Sequence, residues 1–199
     1  MYIKRIDEMH IYNSNGQLVL QSKRELKSII ETRVKEEGPE CDLNDIDVSY
    51  ITDMEGLFAH SEFNGDISKW NVGRVKNMFG MFHNSKFNGD ISEWDVGNVT
   101  DMSCMFYESV FNGDVSKWNV GNVLDMMWMF KESQFNGDIS EWNVGKVENM
   151  SEMFRESPFS GNLSKWNAES IADARGMFDY TPLAKNPPKW YIERREDNK

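Results

Sequence analysis

From residue 42 to residue 182 the apolar positions return with a step of 24, and the polar positions keep their places between them. Phe63, Phe87, Phe111, Phe135 and Phe159 form one column, and Trp70, Trp94, Trp118, Trp142, Trp166 and Trp190 form another. Phe58, Phe82, Phe106, Phe130, Phe154 and Phe178 form a third, with Val72, Val75, Met78 and Met81 each opening a further column. The step also runs backward into Leu43, Ile46, Val48, Ile51, Met54 and Leu57, a divergent first coil. A fixed period without gaps marks units that cannot bury an apolar face alone and must stack on their neighbours. The pattern predicts a repeat solenoid made of short parallel β-strands and turns. Within one coil, Asn64-Gly65-Asp66 is a turn signal, "DISKW" and "VKNM" are short extended candidates, and "GMFHNSK" at 80–86 reads as a helical or 3-10 turn.

The flanks break the period. "MHIYNSNGQLVLQS" alternates around Asn15-Gly16, a β-hairpin signal. Ser22 with Glu25 then reads as a capping box, Leu26, Ile29, Ile30 and Val34 as an apolar helical stripe, and Gly38-Pro39 as its stop. The expected organisation is an N-terminal cap of hairpin plus α-helix over 1–41, an array of about six coils over 42–182, and a C-terminal cap and tail over 183–199. The two prolines of "NPPKW" make that tail a poor continuation of any ladder.

If residue i lies over residue i+24, the column Asp45, Lys69, Glu93, Lys117, Glu141, Lys165 becomes a ladder of alternating charge. Like charges at neighbouring strand spacing repel. A slip by one repeat would set like over like, so the alternation is expected to guard register more than to add stability.

The repeat wording "F-N-G-D-I-S-x-W-N-V-G-x-V-x-N-M-x-x-M-F" resembles the BspA-like leucine-rich-repeat surface proteins, the mycoplasma-lipoprotein repeat family, over residues 42 to about 178. The resemblance implies a leucine-rich-repeat-like solenoid that binds protein, often as a bacterial or protist adhesin, and so a cell-surface or secreted location. The start "MYIKRIDEMH" carries no hydrophobic signal stretch, and no apolar run reaches membrane-spanning length, so the chain as written reads as cytoplasmic and not membrane-inserted.

Composition adds a charge argument. The net charge of −11 falls within residues 42–190, since the two flanks carry equal numbers of Lys/Arg and Asp/Glu. That field disfavours nucleic acid as a partner. Cys41 and Cys104 are the only cysteines, too few for a disulfide framework or a cysteine zinc site. His10, His60 and His83 lack a second ligand at metal spacing, and no nucleotide-binding or hydrolase motif is present, so neither catalysis nor a cofactor is expected. Asp66, Asp90, Asp114 and Asp138 fall in one column, and two readings stand: each caps its own turn, or together they hold a hard cation.

Function is expected where the repeat stops repeating. One column reads Glu55, Phe79, Ser103, Met127, Ser151, Arg175; the next reads Gly56, Gly80, Cys104, Trp128, Glu152, Gly176. A third reads Ala59, His83, Tyr107, Lys131, Arg155, Asp179, and Leu124 interrupts a polar column. Phe79, Tyr107, Leu124, Met127 and Trp128 place large apolar groups where other coils are polar or small. They are the candidate partner-binding residues of a non-enzymatic protein-interaction module, whose partner is another protein. The alternative is an acidic decoy for a nucleic-acid-binding protein.

Overall fold

The structure is a computed structural model and describes residues 11–197. Strand β1 (Ile11–Tyr12) pairs antiparallel with β2 (Leu18–Val19) across a turn in which Asn13 Oδ1 accepts from the backbone N–H of Asn15 at 2.9 Å and of Gln17 at 3.1 Å. Gly16 takes φ 75° there, a left-handed geometry that glycine adopts without steric cost. The Met9 and His10 end of the expected hairpin lies outside the described residues.

Helix α1 (Lys23–Glu37) follows, with extended Ser22 in the capping position, but the Ser22 hydroxyl makes no capping hydrogen bond. The serine half of the expected capping box is therefore absent. Gly38 at φ 95° ends the helix by donating to the Val34 carbonyl. Leu26 and Ile30 are buried against the core, while Ile29 and Val34 pack at its edge. Strand β3 (Ile46–Asp47) runs parallel to β2 in the order β1-β2-β3, which joins the hairpin to the divergent first coil.

Beyond β3 the 24-residue step becomes a contact distance. Phe58, Phe82, Phe106, Phe130, Phe154 and Phe178 stack nearly parallel, with successive ring centroids 5.4, 5.5, 5.6, 5.8 and 6.0 Å apart. Phe63 to Phe159 form a second stack beside them, at 6.0 to 6.4 Å. All of these rings are buried, and burial of each such side chain stabilises by roughly 1.5–3 kcal/mol before entropy is subtracted. Each indole also reaches back one coil: Trp118 Nε1 donates to the Ile91 carbonyl at 3.0 Å, and Trp70, Trp94, Trp142, Trp166 and Trp190 repeat the bond. Each of these carbonyls also accepts a backbone N–H within its own coil, so the indole bond is a second, inter-coil bond that an aromatic without an N–H could not make, a reason for Trp to recur in this column.

Three corners per coil are closed by a side-chain oxygen accepting from the backbone N–H two residues on. In one coil these are Asp66 to Ser68 at 2.9 Å, Asn71 to Gly73 at 3.1 Å and Asn77 to Phe79 at 2.9 Å. Asp and Asn recur at these places because their short side chains form such turns. Among the described residues, extended structure beyond β3 is limited to isolated parallel bridges, along Asp53, Asn77, Asp101, Asp125, Asn149 and Asp173 and between Asp42 and Asp66. Neighbouring coils are joined in addition by forward backbone bonds: Met54, Gly56, Phe58 and His60 donate to the carbonyls of Asn77, Phe79, Met81 and His83 at 2.8 to 2.9 Å. The stretch 80–86, expected as a helical or 3-10 turn, begins with non-helical turns that carry these bonds.

The expected charge ladder is not continuous. Lys117 pairs with Glu93 at 2.9 Å and Lys165 pairs with Glu141, while Asp45 is taken by Arg33 of α1 at 2.9 Å. After the last coil, a 3-10 turn at Pro182–Lys185 leads into α2 (Lys189–Asp197). The sequence reading missed this helix, because two prolines stop a ladder yet suit the start of a helix. Trp190 in its first turn stacks on Trp166 at 6.3 Å, and Tyr191 meets the edge of Phe178 at 5.0 Å, which covers the final core layer.

Candidate interaction face

Two positions in every coil hold the backbone in the left-handed region. One is the column Gly56, Gly80, Cys104, Trp128, Glu152, Gly176, with φ between 50° and 65°; the other is His60, Asn84, Glu108, Glu132, Glu156, Tyr180, with φ between 48° and 60°. For residues other than glycine this geometry costs roughly 1–2 kcal/mol. Three coils use glycine in the first column, so Trp128 at φ 58° stands where the backbone itself favours glycine.

Trp128 is half-buried and has specific neighbours. The Lys131 ammonium lies 4.4 Å from its ring centroid, and the Tyr107 ring lies 5.8 Å away, tilted by 54°. Lys131 is anchored in turn by Glu152 in the next coil at 2.8 Å, and Arg155 adds a 3.5 Å contact to the same carboxylate. A cation held over an indole face is worth roughly 0.5–1 kcal/mol at an exposed site and about 2 kcal/mol when desolvated, and the Lys131 side chain is only 13 % exposed. His83 stacks on the other side of Tyr107 at 4.7 Å, and His60 meets His83 at 4.8 Å. Burial is the first cause that pushes the His83 imidazole below its ordinary pKa, helped by His60 and opposed by Glu108. A hydrogen bond to Glu108, together with burial, raises the Tyr107 phenol above its usual range. Beyond Lys131, the Arg155 guanidinium lies 5.3 Å from the Tyr180 ring.

The five sequence candidates are therefore not one patch. Tyr107 and Trp128 touch, and Met127 joins Trp128 in lining a groove of about 470 Å³ with Glu152, Arg155, Arg175 and Asp179. Phe79, 39 % exposed, lines a different cleft of about 440 Å³ beside Lys23, Arg24 and Lys27 of α1. Leu124, 43 % exposed, sits on the ladder next to Asp125 and makes no ring contact with the Trp128 cluster. His83 links the first two groups, since it lines the Phe79 cleft and stacks on Tyr107. His83, Lys131 and Arg155 were absent from the candidates because the selection took only large apolar side chains. The signal was present, since all three belong to the same variable column as Tyr107.

The carboxylate column behaves as turn caps. Asp66, Asp90, Asp114 and Asp138 each accept from the backbone N–H two residues on at 2.9 Å, and that bond is the leading cause that lowers each pKa. Among the described residues no three His, Cys, Asp or Glu side chains are grouped so as to hold a metal ion. Cys41 and Cys104 are buried free thiols, and burial pushes the Cys104 thiol up to about 11. No helix among the described residues is long and apolar enough to cross a membrane.

Columns that repeat every 24 residues, and contacts that repeat with them, define a repeat protein. The chain belongs to the family described as Mycoplasma protein of unknown function, DUF285, whose model matches residues 27–132 and again 108–190. No curated protein matches the chain, and no solved structure does.

Proposed function

We propose that the chain is a leucine-rich-repeat-like solenoid of the BspA-like kind that works as a non-enzymatic protein-interaction module. Its binding face is centred on Trp128 and Tyr107 and extends through His83 on one side and Lys131 and Arg155 on the other. The observation that carries this reading is Trp128 itself. A large aromatic occupies a left-handed position that three other coils give to glycine, and part of its ring still faces solvent. Backbone strain retained at a position that the core does not need points to selection for something other than stability. Trp and Tyr flanked by Arg are also the side chains that most often dominate interface energies.

The test is capture of proteins by wild type and by Trp128→Gly side by side, followed by titration of the purified captured protein against both. The expected result is a loss of affinity of about 30-fold or more for the glycine variant, corresponding to about 2 kcal/mol, with stability within about 1 kcal/mol of wild type. Equal binding by the two proteins would remove this face from the proposal. A second reading, an acidic decoy, is favoured by the solvent-facing column Asp66, Asp90, Asp114, Asp138. Decoy binding would fall steeply as salt rises, whereas capture by Trp128 and Tyr107 would change little.

A further inference from the structure

On one side of each coil the bonds between coils run forward, while at the neighbouring position Lys76, Thr100, Leu124, Glu148 and Ala172 donate back to the coil before. Met54 N–H donates to the Asn77 carbonyl, Met78 to Asp101, Met102 to Asp125, Met126 to Asn149 and Met150 to Asp173. Three parallel files begin at Gly56, Phe58 and His60 and end on the carbonyls of Arg175, Met177 and Asp179. In each file the donor N–H and the acceptor carbonyl of a step belong to linked peptide units, so amide dipoles add along the stack as they do along a helix axis. These forward files leave donors at the last coil and acceptors at the first. Among the described residues, the N–H groups of Ala174, Gly176, Phe178 and Tyr180 donate no backbone bond, and the carbonyls of Asp53, Glu55, Leu57 and Ala59 accept none. Paired backbone groups are the rule in proteins, and an exposed row of one polarity is a template for association.

We propose that the stack associates head to tail with a second copy of this chain, the last-coil edge of one molecule docking on the first-coil edge of the next. Three features of the two ends agree. These donors and acceptors repeat the spacing that already joins every internal pair of coils. Tyr180, 74 % exposed, stands in the last coil at the donor end, and the acceptor end holds the cleft lined by Phe79, Gly56 and Ala59. Exposed Asp179 adjoins Tyr180, whereas at the cleft Lys23 is paired with Asp53 and Glu55 and Arg24 and Lys27 of α1 supply the remaining positive charge, so side-chain charges and the forward amide dipoles favour the same polarity. Tyr191 and Trp190 cover the Phe178 ring, and Leu26 and Ile30 cover the opposite core end, so the contact is confined to the backbone edge and its flanking side chains. A contact of that extent lies at the small end of protein interfaces and is weak. It is also heterologous, so it does not close at two copies.

Sedimentation of the full chain from about 10 μM to about 1 mM at low salt tests this. The weight-average mass of wild type is expected to pass twice the monomer without a plateau, and to fall back at high salt. Tyr180→Asn disables only the donor end, and asparagine already occupies this left-handed column at Asn84. Arg24→Glu with Lys27→Glu disables only the acceptor end. Each variant alone should stay monomeric at about 1 mM, and their equimolar mixture should form a dimer and stop there. A wild type that remains monomeric throughout, or that saturates at a dimer, overturns the proposal without reference to any variant. Growth by either variant alone, or a mixture with no dimer, overturns it as well.

Discussion

The indole Nε1 of Trp118 donates at 3.0 Å to the carbonyl of Ile91, 27 residues earlier in the preceding coil. The bond is buried, and the same ring fills the core against Phe106 at 6.4 Å. Trp118→Ala therefore removes both volume and donor and is expected to destabilise by about 3–5 kcal/mol in urea unfolding. Trp118→Phe keeps most of the volume but removes the indole bond, leaving the Ile91 carbonyl with the Trp94 backbone N–H alone, for an expected loss of about 0.5–1.5 kcal/mol. A phenylalanine variant as stable as wild type would show that the columns need only bulk.

Trp128 should behave in the opposite manner. Glycine at this position relieves the left-handed strain while giving up the partial burial and the Lys131 contact, so Trp128→Gly is expected to leave stability within about 1 kcal/mol of wild type. Trp128→Ala keeps the strain and loses the packing, and should be the less stable of the two by about 1 kcal/mol. Thermal melts of the pair provide the comparison. An alanine variant more stable than the glycine variant would contradict the left-handed geometry.

The Glu93 and Lys117 pair spans two coils at the surface, and both the hydrogen bond and the charge of Glu93 raise the Lys117 pKa. Lys117→Glu places like charges in successive coils. Its melting temperature should fall below wild type at low salt, and the difference should shrink as salt screens the repulsion. A deficit independent of salt would point to local packing instead.

Acid sensitivity should come from the turn caps. The folded pKa values of Asp66, Asp90, Asp114 and Asp138 are lowered, mainly by the backbone N–H each carboxylate accepts. A group depressed in the folded state adds stability above its unfolded pKa, near 3.9, and loses it as pH falls through the folded value. Stability should therefore decline below about pH 4. Asp114→Asn keeps the accepting oxygen, as Asn162 does toward Ser164 at 3.0 Å, but cannot titrate. Its acid limb, followed by circular dichroism, is expected to be shallower than that of wild type. An identical acid limb would assign the sensitivity elsewhere.

The sequence by itself determined the step of 24, the composition of each column, the limits of α1 at Ser22 and Gly38, and the hairpin around Asn15-Gly16. These are legible because a residue placed above its own copy must satisfy the same neighbours in every coil, so the physical demand is written again at each step. It could not show which carbonyl each Trp ring serves, since that bond crosses 27 residues. Nor could it show that the charged column resolves into pairs once Arg33 takes Asp45. Two decisions belong to the tertiary structure alone. The left-handed columns accept Gly, Cys, Trp, Glu, His, Asn and Tyr, so no single residue type marks them. The common direction of the amide files is invisible in any side-chain pattern, because every residue except proline carries the same donor and acceptor, and only stacking decides which way each one points.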